Sequence, residues 1–243
     1  MHYGPARNTV ATMNLAEELA LLGYGDDGKP VTDGMHLDNG LGGALLLELA
    51  LAERVDIDDK RVVVRNPAPT GDPIIDRALA QIVNDRKSRK PGHWVTKFAR
   101  KAREQVMDSL VAKGAVRRAE DKVMLVFPRT RYPATHGVEP PEETEARQRM
   151  VAAITGTGPV ESRTAALCAL VAATDLDKKV FRDLDRKQVK ARLEGDRPGR
   201  VGGDRGAEEH RGDPVRDHDR GRRRQHRGCQ RQRQLTWTGP GPT

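Results

Sequence analysis

The chain has 243 residues and a net charge of +8, with 36% hydrophobic but only 3% aromatic residues. Its two cysteines exclude a disulfide framework and a multi-cysteine zinc site, and no apolar run approaches the ~20 residues of a membrane-spanning helix. The N-terminus lacks the apolar stretch of a signal peptide, so the composition predicts a cytoplasmic protein with a basic bias.

The two ends of the chain differ in composition from the middle. Residues 1–12 are polar, and residues 194–243 contain 12 arginines, 10 glycines and only six hydrophobic residues. Segments this poor in apolar side chains cannot offset their ordering entropy, so both ends are predicted to be disordered. Two interpretations stay open for 194–243, a functional basic tail and an out-of-frame translation of GC-rich codons. The folded domain is accordingly placed at residues 13–193.

Helix signals come first in this domain. Asn14 and Glu17 have the spacing of a capping box, and the helix that they begin ends at Gly23. Residues 24–40 are rich in Gly and Asp and predict a loop. Residues 41–53 are apolar almost all round, which predicts a central, buried helix.

A β-hairpin and a capped helix are predicted next. Residues 55–57 and 61–64 have the composition of two strands, joined by a turn at 58–60. Asp72 followed by Pro73 predicts the start of a helix, since aspartate is a favoured N-cap and proline suits the first helical position.

The longest predicted helix covers residues 92–112, where apolar residues recur at three- and four-residue spacing. Gly114 ends this helix. A second hairpin is predicted after it, with strands at 115–118 and 122–127 and a turn at 119–121.

Three further helices complete the domain. Two cover residues 142–154 and 160–173, and the last begins near Asp177 and runs to 193. Helices therefore dominate the domain, and the fold class predicted is mainly α, with small hairpins attached.

We found no catalytic or cofactor-binding constellation along the chain. The sequence has no P-loop, no dinucleotide-binding fingerprint and no nucleophile elbow. Cys168 lies in an apolar stretch typical of a buried core thiol, and His36, His93 and His136 lack the spacing of metal ligands. We therefore expect no enzymatic activity, no cofactor and no metal site.

The most informative feature is the basic face of the helix at 92–112. Lys97, Arg100, Lys101 and Arg103 lie off its apolar face, and Arg100 and Arg103 stand about 60° apart around the axis. Two guanidiniums one turn apart can hold a phosphate group from two sides. An anion site and a solvated basic face are both compatible with this pattern.

The second unusual feature is a strongly apolar stretch at residues 123–128, followed by basic residues. An apolar tip flanked by arginines suits the interface of an anionic membrane. This interpretation predicts membrane contact through Phe127, Arg129, Arg131 and Tyr132. The alternative is a core strand that leads into a basic loop.

Several stretches match one known family in order and spacing. The most specific is Ala-Pro-Thr-Gly-Asp at residues 68–72, followed by Asp76. Supporting stretches are residues 15–22, 40–41, 47–51 and 100–114. Over about residues 15–193 the chain resembles the Golgi phosphoprotein 3 family, in particular its bacterial branch.

The resemblance implies a single helical-bundle domain with small β-hairpins at one end. Eukaryotic members are peripheral membrane proteins that recognise phosphatidylinositol 4-phosphate and act as adaptors that retain glycosyltransferases in the Golgi. Two arginines of the family's lipid pocket fall on Arg100 and Arg103, and its membrane-inserted hairpin matches residues 122–132. The pocket's tryptophan and a further arginine are absent here, and Gly42 stands where that arginine would be.

Three functions remain as hypotheses. The leading one is a cytoplasmic, peripherally membrane-associated protein that binds an anionic phospholipid through the four basic residues of the long helix. The second is an adaptor that binds a partner protein through residues 24–40 and has no lipid role. The third and weakest is a winged-helix-like DNA-binding module, with 92–112 as its recognition helix and 115–127 as its wing.

Overall fold

A computed structural model of the chain describes residues 13–123 and 127–195, without the side chains of 121–129 and 194–195. Its helices are α1 (Leu15–Leu22), α2 (Gly34–Leu51), α3 (Pro73–Val83), α4 (Pro91–Ala112), α5 (Pro141–Thr155), α6 (Ser162–Ala173), α7 (Asp177–Val180) and α8 (Arg186–Gly195). Its strands are β1 (Val55–Asp58), β2 (Arg61–Val64), β3 (Ala119–Val123) and β4 (Phe127–Arg131). The prediction of a mainly α fold with small hairpins is confirmed.

The predicted capping signals begin two of the helices. Asn14 Oδ1 accepts the N–H of Glu17 at 3.0 Å, and Glu17 Oε2 accepts the N–H of Asn14 at 2.9 Å, which completes the capping box. Asp72 Oδ1 accepts the N–H groups of Ile74 and Ile75 at the start of α3. Because Asn14 Nδ2 also donates to Asp72 Oδ2 at 2.8 Å, the two caps are joined.

The stretch at 68–72, which is the most specific part of the resemblance, forms the loop that leads into α3. Asp76 accepts the Thr70 hydroxyl at 2.7 Å and the N–H of Gly71 at 3.1 Å. These bonds hold the loop against the first turn of the helix that it precedes. The residues of this stretch are therefore explained by the fold.

The predicted loop at 24–40 is wrong in its second half, because α2 begins at Gly34. Asp33 caps this helix by accepting the N–H of Met35 at 2.8 Å. The glycines that suggested a loop permit close helix packing instead. A Cβ at Gly40 would lie 2.2 Å from Thr174 Cγ2, and one at Gly42 would lie 2.4 Å from the carbonyl oxygen of Val95.

Helix α2 lies at the centre of the bundle, as predicted, and packs against α1, α3, α4 and α6. Its most extensive contact is with α4, which runs antiparallel to it, since Gly34 lies beside Arg103 and Gly42 beside Val95. Large, fully buried side chains include Leu15, Leu19, Leu22, Leu37, Leu41, Leu49, Ile75, Trp94, Met107, Leu110, Met150 and Phe181.

The first hairpin forms where it was predicted, with a tighter turn. Asp58 pairs with Arg61 in the ladder, so the turn consists of Asp59 and Lys60 alone. Both have positive φ, 42° and 59°, as a two-residue type I′ turn requires. The N–H of Val62 donates to the carbonyl of Arg89 at 2.8 Å, which ties this hairpin to the segment before α4.

The second hairpin differs from the prediction, in which the strands were 115–118 and 122–127. Ala119 pairs with Arg131 and Val123 with Phe127, so the chain reverses between 123 and 127, not at 119–121. Residues 124–126 lie outside the described residues. Residues 119–121, which the prediction placed in a turn, belong to a strand because each of them has a partner in β4. The apolar stretch at 123–128 therefore spans the reversal of the hairpin.

The bases of the two hairpins lie at opposite ends of the α2–α4 pair, not at one end. The first follows the C-terminus of α2 and contacts Arg89, just before α4. The second follows α4, and the N–H of Tyr132 donates to the carbonyl of Gly28, just before α2, at 2.9 Å. Because α2 and α4 are antiparallel, these two attachment points are separated by the length of the pair.

The C-terminal helices follow the prediction until residue 181. Helices α5 and α6 form near 142–154 and 160–173, but the single helix expected from Asp177 to 193 is divided into α7 and α8. Phe181 is buried between them, and Asp185 Oδ1 accepts the N–H of Gln188 at 2.9 Å, which starts a new helix. Burial of Phe181 and this new cap account for the break.

The predicted disorder of residues 1–12 and of 196–243 lies outside the described residues, as does the choice between a functional tail and an out-of-frame translation. Helix α8 continues through Gly195, two residues beyond the predicted boundary at 193. Within the described residues, no helix combines the length and the hydrophobicity needed to cross a membrane.

Candidate functional site

Arg103, on the face of α4 that meets α2, is partly buried and already paired. Its Nε donates to Asp38 Oδ1 at 2.8 Å, and its Nη2 donates to the carbonyl oxygen of Gly34 at 2.6 Å. The side chains of Arg103 and Asp38 are 31% and 37% exposed. One of the two predicted phosphate-binding arginines therefore joins α4 to the first turn of α2.

Arg100 and Arg103 line one cleft together with residues from other parts of the chain, and their binding of a phosphate stays a prediction. The cleft has a volume of about 320 Å³. It is lined by Asp38, Ala99, Arg100, Arg103, Glu104, Asp108, Arg118 and Tyr132. Three arginines face three carboxylates, so the formal charge of this lining is balanced. We call this space the α2–α4 cleft.

The other two predicted basic residues do not line the α2–α4 cleft. Lys97 Nζ lies 4.7 Å from the centre of the Trp94 ring, in a cation–π contact, and lines a neighbouring cleft together with Arg100. Lys101 is exposed, and at 100° per residue it lies about 160° around the helix from Arg103. Lys101 and Arg103 therefore cannot approach one bound phosphate from α4.

The predicted membrane-contact residues divide into two groups. The ring of Tyr132 packs edge-to-face on Tyr24, 6.0 Å between centroids, and Arg131 Nη1 reaches the carbonyl oxygen of Asp27 at 3.5 Å. Both residues are thus at the base of the second hairpin. Phe127 and Arg129 belong to β4, and their side chains lie outside the described part of the chain. Their contact with a membrane stays a prediction.

Four charged residues of the α2–α4 cleft were not predicted from the sequence: Asp38, Glu104, Asp108 and Arg118. Asp38 lies in the segment predicted as a loop, and Arg118 lies in a stretch predicted as a strand. The four-residue spacing of Arg100, Glu104 and Asp108 was one signal in the sequence, because it places one basic and two acidic side chains on one helix face. Asp38 and Arg118 reach the cleft through tertiary packing, which no local spacing encodes.

A buried carboxyl group lies behind this cleft, on α5. Glu143, together with Tyr24 and Tyr132, lines a small cavity of about 50 Å³. Burial raises the pKa of Glu143 to about 7, although Lys179 nearby opposes the shift. Arg147 Nη2 donates to Glu143 Oε1 at 2.8 Å. The carboxyl group of Glu143 is therefore expected to change its protonation state near neutral pH.

Stability is expected to fall as the pH rises towards neutrality. In the unfolded chain the Glu143 carboxyl ionises near its ordinary pKa of 4.5, but in the folded chain it ionises near 7. The folded state therefore binds an extra proton between these values, and stability decreases across that window and then levels off. Urea denaturation at pH 5 and pH 8 should show that the free energy of unfolding decreases less between these values for Glu143→Gln than for the unmodified protein.

The matched control for this measurement is Glu145→Gln, an exposed position on the same helix. This variant should retain the full loss of stability between pH 5 and pH 8. Equal pH dependence in the Glu143→Gln and Glu145→Gln proteins would contradict the assignment to Glu143. A residual slope in Glu143→Gln is expected, since burial also raises the pKa of Glu18.

No group of three His, Cys, Asp or Glu side chains in the described ranges is arranged to hold a metal ion. The sequence model of Golgi phosphoprotein 3 (GPP34) matches residues 15–207, which is most of the chain and extends past α8.

Proposed function

Because the chain belongs to the Golgi phosphoprotein 3 family, we propose that it is a non-catalytic, peripheral membrane protein that binds an anionic phospholipid. The proposed site for the headgroup is the α2–α4 cleft. The second hairpin, with its apolar stretch at 123–128, is the proposed membrane contact. The cytoplasmic face of a membrane is its proposed location.

The observation that carries this proposal is the convergence of three arginines. Arg100 and Arg103 come from α4, and Arg118 comes from the segment that leads into the second hairpin. Among the described residues, Arg100 and Arg118 have no ion-pair partner, so their donors are available to a phosphate. Arg103 uses Nε and Nη2 internally, which leaves Nη1 for a ligand.

The carboxylates of the same cleft set the strength of the interaction. Asp38 neutralises Arg103, and Glu104 and Asp108 repel an anion at the rim. Binding through this cleft should therefore be weak, reversible and sensitive to salt. The apolar stretch of the hairpin would add affinity that salt does not screen.

Vesicle co-sedimentation tests the proposal. The full chain should bind vesicles of phosphatidylcholine with phosphatidylglycerol more tightly than phosphatidylcholine alone. An Arg100→Ala/Arg118→Ala variant should bind them about thirty-fold more weakly, since each basic residue at an anionic surface contributes roughly 1 kcal/mol. Asp38→Asn should bind about five-fold more tightly, because it removes a negative charge and keeps an acceptor for Arg103.

The matched control is Lys178→Ala/Lys187→Ala, which removes two exposed charges on the α7–α8 side of the domain. This variant should bind like the unmodified protein. Equal binding of the full chain to neutral and anionic vesicles would contradict the proposal. If the folded protein binds neither kind of vesicle, the protein-adaptor hypothesis becomes the leading one. Vesicles with phosphatidylinositol 4-phosphate test whether specificity survives without the family's tryptophan and arginine.

A further inference from the structure

A second concave surface of the domain carries far more uncompensated positive charge than the α2–α4 cleft. It lies where α3, the loop at 84–90 and α4 meet, and its volume is about 670 Å³. We propose that this space, the α3–α4 cleft, binds the phosphate of an anionic lipid headgroup. The proposal rests on the membrane function proposed above and assigns its principal anionic contact to a different site.

The charges of the α3–α4 cleft are the first line of evidence. Five basic residues line it: Arg77, Arg86, Lys87, Arg89 and Lys97. The single carboxylate among the lining residues is Asp85. The formal charge of this lining is therefore +4, whereas that of the α2–α4 cleft is zero. An anion that approaches α4 is attracted mainly to the α3–α4 side.

Asp85 is paired with Arg89 within the loop, so it compensates one of the five basic residues of the lining. Its Oδ1 accepts the N–H of Lys87 at 2.9 Å, and its Oδ2 accepts Arg89 Nε at 3.2 Å. Arg86 and Lys87, which flank this turn, are exposed and have no ion pair with any described residue. Among the described residues, their charges have no counter-ion at the cleft.

The loop that carries these side chains is fixed at its far end, so the cleft is preformed. The N–H of Val62 donates to the carbonyl of Arg89 at 2.8 Å, and Arg61 Nη1 donates to the carbonyl of Ser88 at 2.7 Å. Both bonds come from the first hairpin. A ligand would therefore meet a loop whose backbone is already fixed at 88–89, and would not have to bear the entropy of ordering a free loop.

The α3–α4 cleft continues along α4 towards Arg100. Lys97, which is held over Trp94, lines both this cleft and the next one, which His93, Thr96 and Arg100 also line. Arg100 in turn lines the α2–α4 cleft. Basic side chains along α4 thus link the two clefts, which lie towards opposite ends of that helix.

The cleft's donors fit a phosphate group rather than a neutral ligand. Guanidinium forks bind two phosphate oxygens at once, and the lysines add compact charges. A soluble phosphate compound has the same chemistry as a lipid headgroup. We assign the lipid because the membrane function is proposed on independent grounds, and the test separates the two sources.

The test compares three double variants of the full chain on the same anionic vesicles. Arg86→Ala/Lys87→Ala should weaken binding on the order of thirty-fold, and by at least as much as Arg100→Ala/Arg118→Ala. Lys178→Ala/Lys187→Ala, with the same loss of charge, should have no such effect.

In addition, pyrophosphate is titrated into a Trp237→Phe background, where Trp94 beneath Lys97 is the only tryptophan left. Its fluorescence should change saturably with pyrophosphate.

The outcomes separate this inference from the function on which it rests. If the full chain binds anionic vesicles but Arg86→Ala/Lys87→Ala binds equally well, the α3–α4 assignment is overturned and the membrane function stands. If the full chain does not bind vesicles, the α3–α4 assignment and the membrane function are both overturned. A third outcome combines two results: pyrophosphate changes the fluorescence only when Arg86 and Lys87 are present, and the loss of these residues leaves vesicle binding unaffected. The ligand is then a soluble phosphate compound, and the lipid assignment is overturned.

Discussion

Replacement of Gly42 by arginine, the residue that the family's lipid pocket has there, is expected to unfold the domain and not to restore lipid specificity. A Cβ at this position would lie 2.4 Å from the Val95 carbonyl oxygen and 3.0 Å from the Ala99 nitrogen, both in the backbone of α4. Backbone atoms cannot rotate away, so α2 and α4 would have to separate. Even Gly42→Ala should lower the free energy of unfolding by about 1–3 kcal/mol, which is typical of substitutions that overpack a core.

The adjacent glycine provides a matched control. A Cβ at Gly43 would lie 3.6 Å from Leu170 Cδ2, an ordinary contact, so Gly43→Ala should be neutral or stabilise α2 by about 0.5–1 kcal/mol. Urea denaturation followed by circular dichroism measures both variants. A cooperative Gly42→Arg protein as stable as Gly43→Ala would show that the helices can separate without loss of the fold.

This pair of variants also explains why the chain departs from the family at this position. At Gly42, where the resemblance implies an arginine, α2 has no room for a side chain against α4, and Arg103 is held by Asp38 on the same pair of helices. The α2–α4 cleft is therefore less basic than the resemblance implies. A headgroup site on the α3–α4 side would compensate for that change.

Removal of Arg163 is expected to destabilise the domain by about 3–5 kcal/mol, as the loss of one partner from a buried ion pair does. Its Nη1 donates to Glu48 Oε1 at 2.8 Å, and its Nη2 donates to the carbonyl oxygen of Met13 at 2.6 Å. The Glu18 carboxylate lies 3.8 Å from its Nε. Arg163→Ala would leave two poorly exposed carboxylates with less positive charge beside them, at the junction of α1, α2 and α6.

The cost of this substitution should depend on pH in a defined direction. Burial raises the pKa of Glu18, and Arg163 and Arg149 oppose that shift. A protonated carboxyl needs no counter-ion, so Arg163→Ala should cost less at pH 5 than at pH 8. Arg182→Ala is the control, since its side chain is 77% exposed and its loss should change stability by less than ~0.5 kcal/mol. Equal stability of the two variants at pH 8 would contradict the predicted role of Arg163.

The local parts of the fold could be predicted because their causes lie within a few residues of one another. The capping box at Asn14 and Glu17, the cap at Asp72 and the helix around Arg100 depend on short-range hydrogen bonds and a 3.6-residue period. Trp94 was not assigned to the core from its sequence, yet it is almost fully buried. Its position one residue before the predicted apolar stripe gave only a weak signal.

The candidate site was predicted only in part, for the same reason. The spacing of Arg100 and Arg103 placed two guanidiniums within one turn, and the structure brings both to one cleft. The pairing of Arg103 with Asp38 joins residues 65 positions apart, and no local pattern indicates it. The second hairpin's turn was misplaced because the apolar stretch at 123–128 has the composition of a strand, while the ladder places it at the reversal.

By itself the sequence determined the helical class, most helix starts, the family and the basic character of α4, since these depend on composition and local periodicity. Only the tertiary structure decided which charges remain available to a ligand. The contact of α2 with α4 neutralises Arg103 through Asp38 and leaves no room at Gly42, whereas the loop after α3 gathers basic side chains with one engaged carboxylate. Charge compensation depends on distances across the fold, and those distances are set by packing.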